Sequence, residues 1–163
     1  MNIMKFITTP TTKFPDKLKN IIAAWCIMFV WMALMNLLIN YLDPPEEDYS
    51  QTASVPPVAF ILYRLFFTVI LAPLWEELAY RHAPFLLVKA LGEKFLVPVV
   101  ILSSIIFGWG HGMGPESLLR QGVMGFVLFG IYLKNGNSYW SSVALHALWN
   151  GIFFLMVFGQ YIW

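Results

Sequence analysis

Two uncharged runs, residues 21–42 and 140–163, hold 22 and 24 residues, and each is long enough for an α-helix to cross the roughly 30 Å hydrocarbon core of a bilayer. In lipid a spanning segment must satisfy its own backbone polar groups, which leaves helices and closed barrels. Barrel strands would show alternating segments of roughly ten residues, and the sequence has none. The first run is too long for the apolar region of a signal peptide and has no small-residue cleavage site behind it, so it reads as a retained span. The predicted fold class is therefore all-α, a polytopic membrane helical bundle.

Charge is scarce and grouped. Apolar residues make up 59% of the chain and charged residues 12%, with a net charge of +1; no basic surface exists to hold nucleic acid, which is excluded as a partner. Lys5, Lys13, Lys17 and Lys19 precede the first span against one acid, Asp16, whereas Asp43, Glu46, Glu47 and Asp48 follow it with Pro44 and Pro45. The positive-inside rule puts the N-terminus in the cytoplasm and the acidic loop outside, in a multi-pass protein of the cell membrane. Residues 1–20 read as a basic cytoplasmic segment and 21–163 as a single membrane domain. The one cysteine, Cys26, lies within an apolar run, so neither an intrachain disulfide nor a cysteine-rich zinc site can form.

A second helical stretch starts near Val58, carries Arg64 and Pro73, and passes through Glu76-Glu77-Leu78-Ala79-Tyr80-Arg81-His82 to Leu91. It is either one long kinked helix or two segments broken near Pro73 or Pro84. Residues 92–94 form a turn, 95–110 a span ended by Gly112-Met113-Gly114-Pro115, 117–133 another span and 134–137 a further turn. The total is five or six spans, depending on whether residues 85–91 cross the bilayer or lie at its surface. Gly122, Gly125 and Gly130 offer small surfaces for close helix approach.

Adjacent glutamates beside long apolar runs need compensation, because a carboxylate at mid-bilayer costs about 2.5–3.5 kcal/mol even on the lenient insertion scale. Glu77 and Arg81 are four apart and share a helical face, in the order that supports an ion pair. Glu76 points about 100° away and is left for other work. A helical hairpin turning at residues 92–94 brings position 76 level with position 111, so Glu76 should meet His111. His146 and Asn150, also four apart, stack on one face of the last helix and should point inward. Straight helices put His146 level with Gly125 and short of His111, a gap that needs tilt, a kink or a deeper helix start.

A glutamate, two histidines and an asparagine suit hydrolysis: a carboxylate base for water, imidazoles that orient water or ligate a metal, and an amide that donates to an oxyanion. They also suit a proton or ion pathway, although no inverted repeat or matched pair of broken helices is evident. There is no His-Glu-x-x-His pair, Gly-x-Ser-x-Gly or Gly-x-Gly-Asp. Ser138 sits two turns from His146 on one helix and cannot serve as its nucleophile.

In combination, Glu76-Glu77-x-x-x-Arg81, Phe107-x-x-x-His111 and His146-x-x-x-Asn150 on successive hydrophobic helices resemble the three motifs of the CAAX-protease and bacteriocin-processing (Abi or CPBP) family. Ser103-Ser104-Ile105-Ile106 before Phe107 is similar to that family as well. The resemblance implies an intramembrane endopeptidase with its core in residues 58–161, acting on a membrane-associated, lipidated or signal-like peptide. Its non-catalytic alternative is a bacteriocin-immunity or partner-binding protein of the same fold. In the roles it implies, Glu76 activates water, Arg81 holds Glu77, His111 positions the water, and His146 with Asn150 stabilises the oxyanion. His82 departs from the glycine and Tyr80 from the phenylalanine common at these positions. The cofactor is left open: Glu76, His111 and His146 are candidate ligands for zinc or another divalent ion, but Asn150 is a poor ligand and no two histidines stand one turn apart, so a metal-independent site is preferred.

Overall fold

The computed structural model describes residues 10–11, 13–42, 56–112 and 114–161; the acidic loop of residues 43–48 lies outside them. Five long helices, with short 3-10 turns at Glu93–Phe95 and Gly159–Tyr161, make up the described chain: α1 (Phe14–Leu42), α2 (Val58–Leu91), α3 (Leu96–Trp109), α4 (115–134) and α5 (Tyr139–Phe158). No strand occurs among the described residues. Three of these helices, α1, α2 and α5, are long and apolar enough to cross a membrane. Large apolar side chains face outward along all of them, among them Leu37, Leu102, Phe153 and Met156, as expected where lipid replaces water as the solvent.

Helix α1 begins at Phe14, before the uncharged run, so Lys17 and Lys19 belong to its first turns and the boundary expected at residue 20 falls inside a helix. Residues 85–91 are the end of α2, which is unbroken over 34 residues and so roughly 50 Å long at about 1.5 Å per residue. Neither proline breaks it. Instead two π-helical segments, Phe66–Leu71 and Leu78–His82, each end two residues before a proline, Pro73 and Pro84. Proline has no N–H, and the extra residue per turn makes room for its ring. The carbonyl of Tyr80, four residues before Pro84, loses its usual donor and accepts the Ser103 hydroxyl of α3 instead. In this way the missing bond in α2 becomes a tie between helices.

The turn into α3 uses Gly92 at φ 108°, a conformation L side chains rarely adopt. Helices α3 and α4 form a tight hairpin. A Cβ on Gly108 would lie 2.7 Å from the backbone of Gly122, and one on Gly125 3.2 Å from Ser104 and Phe107. Gly122 and Gly125 therefore make the close approach the sequence suggests; Gly130 has nothing within 4 Å and does not. Ser138 caps α5, its hydroxyl accepting the Ser141 N–H.

Helix α5 packs along α2 on one side and on α1 and α4 on the other, while α1 packs on α4 and α5 but not on α2. Polar clasps hold α1 in place. Asn20 donates to the buried Asn135 at 2.8 Å, Asn135 donates to the Lys17 carbonyl, Trp31 donates to the Leu119 carbonyl, and Arg120 bonds Asn36. Ala24, Met28, Phe107, Met124, Leu128, Ile131 and Leu145 form the core between these helices.

Candidate active site

The six residues singled out by the sequence converge beside this core. Glu77 and Arg81 are almost fully buried, and their ion pair, 3.2 Å between Oε1 and Nη1, has the i, i+4 spacing expected. Arg81 has a second partner: its guanidinium carbon lies 4.1 Å from the centre of the Phe107 ring, a cation–π contact strengthened by the absence of water. Phe107 is thus more than packing. Glu77 also has a second partner, unforeseen from sequence, because His146 Nδ1 lies 2.8 Å from the same Oε1.

Glu76 turns the other way. Its Oε2 is 3.7 Å from His111 Nε2 and 3.7 Å from His146 Nε2, and it makes no hydrogen bond among the described residues. The depth mismatch expected for His146 is closed by side chains. His146 does lie beside Phe107, at 5.9 Å between rings, and Phe107 packs on Gly125. Helical side chains lean toward the N-terminus, so His111 folds back over Phe107 at 4.5 Å, and Glu76 bridges the remaining distance.

Hydrogen bonding settles what each ring presents. His111 Nδ1 lies 2.7 Å from the Phe107 carbonyl; a carbonyl only accepts, so Nδ1 carries the proton. His146 Nδ1 donates to the carboxylate of Glu77, whose same oxygen faces Arg81. In the neutral form of both rings Nε2 is then a bare lone pair. Two such lone pairs and one carboxylate oxygen face each other at separations too long for direct bonding and suited to a small bridging species. Among the described residues no group of three His, Cys, Asp or Glu side chains is arranged to hold a metal ion.

Asn150 completes the group from one turn further along α5. Its Nδ2 donates to the Thr68 carbonyl at 2.9 Å; an amide nitrogen carries two protons, so one remains for another acceptor. Glu76, His111, His146, Asn150, Thr68 and Gln121 all line one cavity of about 570 Å3, walled otherwise by apolar and aromatic side chains including Met28 and Met32 of α1 and Leu71 and Trp75 of α2. His82 is not part of it. Its Nδ1 lies 3.1 Å from the Tyr132 hydroxyl, on the far side of α2 among Tyr132 and Tyr139. Pro73 signalled from sequence a carbonyl left open about one turn back, but that it is Thr68 follows from the π register of the segment, and nothing in the sequence announced the bond between Glu77 and His146.

Comparison with known proteins agrees with this geometry at the level of family. Residues 57–152 match the family described as type II CAAX prenyl endopeptidase Rce1-like, a stretch that contains all six residues and more than half of the chain. No curated protein and no solved structure matches the chain, and nothing in these comparisons points to bacteriocin immunity. With its motifs brought to one cavity and the match running from the start of α2 into α5, the chain belongs to the type II CAAX prenyl endopeptidase Rce1-like family.

Proposed function

We propose that this protein is an intramembrane endopeptidase that hydrolyses a peptide bond of a membrane-associated, lipidated peptide by attack of a glutamate-activated water. The observation that carries this reading is the convergence of Glu76 Oε2, His111 Nε2 and His146 Nε2 at 3.7 Å separations in a cavity lined mostly by apolar groups. A water between them donates its two protons to Glu76 and one imidazole, which turns an oxygen lone pair toward the substrate carbonyl. As the O–C bond forms, Glu76 takes the water proton and the carbonyl oxygen becomes an oxyanion. The free N–H of Asn150 donates to that oxygen; when its ring is charged, His146 adds Nε2–H while Nδ1 stays on Glu77. Collapse breaks the C–N bond, and Glu76 returns the proton to the leaving amine. The Glu77–Arg81 pair does not enter the chemistry and holds His146 in register.

Access from the bilayer is the natural route. The cavity has walls on α1 and α2, yet these helices do not pack on each other, so it opens sideways between Met28 and Met32 on one edge and Phe67 and Trp75 on the other. A lipid-bearing substrate can enter there without leaving the membrane, with the N-terminus of the protein in the cytoplasm. The test is reconstitution of the protein into nanodiscs with a fluorogenic peptide offered with and without a prenyl group near its C-terminus. Cleavage of the lipidated peptide alone is the expected result. Cleavage of neither, by a folded protein, would refute the assignment.

A further inference from the structure

We infer that Pro73 is a positioning residue for the reaction, acting through the Thr68 carbonyl to hold the Asn150 amide in its working orientation. This rests on the proposed endopeptidase function and assigns a new part of its site. In a regular helix the Thr68 carbonyl would accept the N–H of residue 72, and in π register that of residue 73. Neither donates here. The Ala72 N–H goes to the Phe67 carbonyl, in π register, and residue 73 is a proline without an N–H. The Thr68 carbonyl would be an orphan in an apolar setting, and a buried acceptor left unmade is costly. Asn150 Nδ2 satisfies it at 2.9 Å from the neighbouring helix.

The bond decides how the amide stands. Oδ1 and Nδ2 of an asparagine are nearly equal in shape, so packing alone does not prevent the group from flipping and presenting an acceptor to the cavity. A carbonyl partner accepts only, so it selects Nδ2 and leaves the second N–H as the donor available to a developing oxyanion. Alanine at position 73 lets the segment relax to regular bonding, in which the Ala72 N–H takes the Thr68 carbonyl and turns it back along the helix axis. The amide then loses the partner that fixes it. The same change should favour helix α2 itself, since proline is the residue least suited to a helix interior.

The test is a double-mutant cycle on the full chain in nanodiscs. Asn150→Ala should lower kcat by about 10²- to 10³-fold, as loss of one oxyanion donor does. Pro73→Ala should lower kcat roughly tenfold to a hundredfold with little change in KM and no loss of thermal stability. In the Asn150→Ala background, Pro73→Ala should change kcat by less than about twofold, because its effect passes through the amide. Full additivity of the two losses, or an unchanged kcat in Pro73→Ala, would overturn the inference. A readout that needs no turnover is proton exchange at the Asn150 side-chain amide in asparagine-labelled protein: one slowly exchanging Nδ2 proton in the wild type, lost in Pro73→Ala. Equal protection in both proteins would also overturn it. A difference in protection without cleavage of any peptide would instead sink the endopeptidase reading and leave the positioning intact.

Discussion

Glu76 and Glu77 are neighbours in the chain and opposites in their surroundings. Glu77 is sealed within the bundle, with an arginine and a histidine on one of its oxygens. Glu76 faces the cavity, its side chain 21% exposed, with two imidazole nitrogens nearby and no hydrogen bond on Oε2. One carboxylate is consumed by structure and the other is kept available. A buried ion pair contributes little net stability because desolvation offsets its attraction, but breaking it is costly. A carboxylate held near lone pairs it cannot bond directly is suited to organise a third molecule.

The sharpest way to break this contrast is to neutralise each acid. Glu76→Gln keeps the shape and removes the base, so cleavage should fall by about 10²- to 10⁴-fold while thermal unfolding of the detergent-solubilised protein is unchanged. A variant that cleaves at the normal rate would end the role given to Glu76.

The next largest effect falls on stability and belongs to the other side of the comparison. Arg81→Ala leaves a buried carboxylate with only His146 to answer it and should cost roughly 3–5 kcal/mol, seen as a lower unfolding temperature and less folded protein. Combining Arg81→Met with Glu77→Gln should recover part of that loss, since no unpaired charge then remains. Equal stabilities of Arg81→Ala and wild type would show that the pair is solvated in the membrane-embedded protein.

Smaller still is the tie behind the pair. Ser103→Ala removes the donor to the Tyr80 carbonyl and should cost about 1–3 kcal/mol, the penalty for a buried acceptor left unmade. Activity should fall only as far as the folded fraction does. A loss of kcat in fully folded protein would mean that the second π segment also sets the position of the two glutamates.

The smallest expected effect is on the metal question. Activity is predicted to survive chelators, because in the proposed mechanism the working group is the Glu76 carboxylate with its two imidazoles. Stoichiometric zinc by elemental analysis, absent from His146→Ala, would show that the species bridging Glu76, His111 and His146 is an ion and would change the role of all three.

Much of this site was legible because it follows helical arithmetic. The spacing of Glu77 and Arg81, the shared face of His146 and Asn150, and the level of His111 opposite Glu76 need only a pitch and a turn. What escaped is what depends on departures from that pitch. Two π segments rotate the faces of α2 relative to an ideal helix, and hydropathy carries no trace of them because residues 58–91 are apolar on nearly every side. The bond from His146 to Glu77 joins residues 69 apart on helices whose relative rotation the sequence does not encode locally. Pro73 and Pro84 were visible signals, read as possible breaks; their real effect is to leave carbonyls for other helices to find. Gly130 misled for a related reason, since a small residue permits close approach without a neighbour being there to make it.

Both histidines are tethered through Nδ1, one to a backbone carbonyl and one to a buried carboxylate. Nδ1 donates in the same direction whether Nε2 is bare or protonated, so neither ring has to rotate when a proton arrives or leaves. In the proposed mechanism both rings can therefore stay still while protons come and go at Nε2. Reorganisation, which in water is a large part of the barrier to proton transfer, would on that mechanism be spared at both imidazoles.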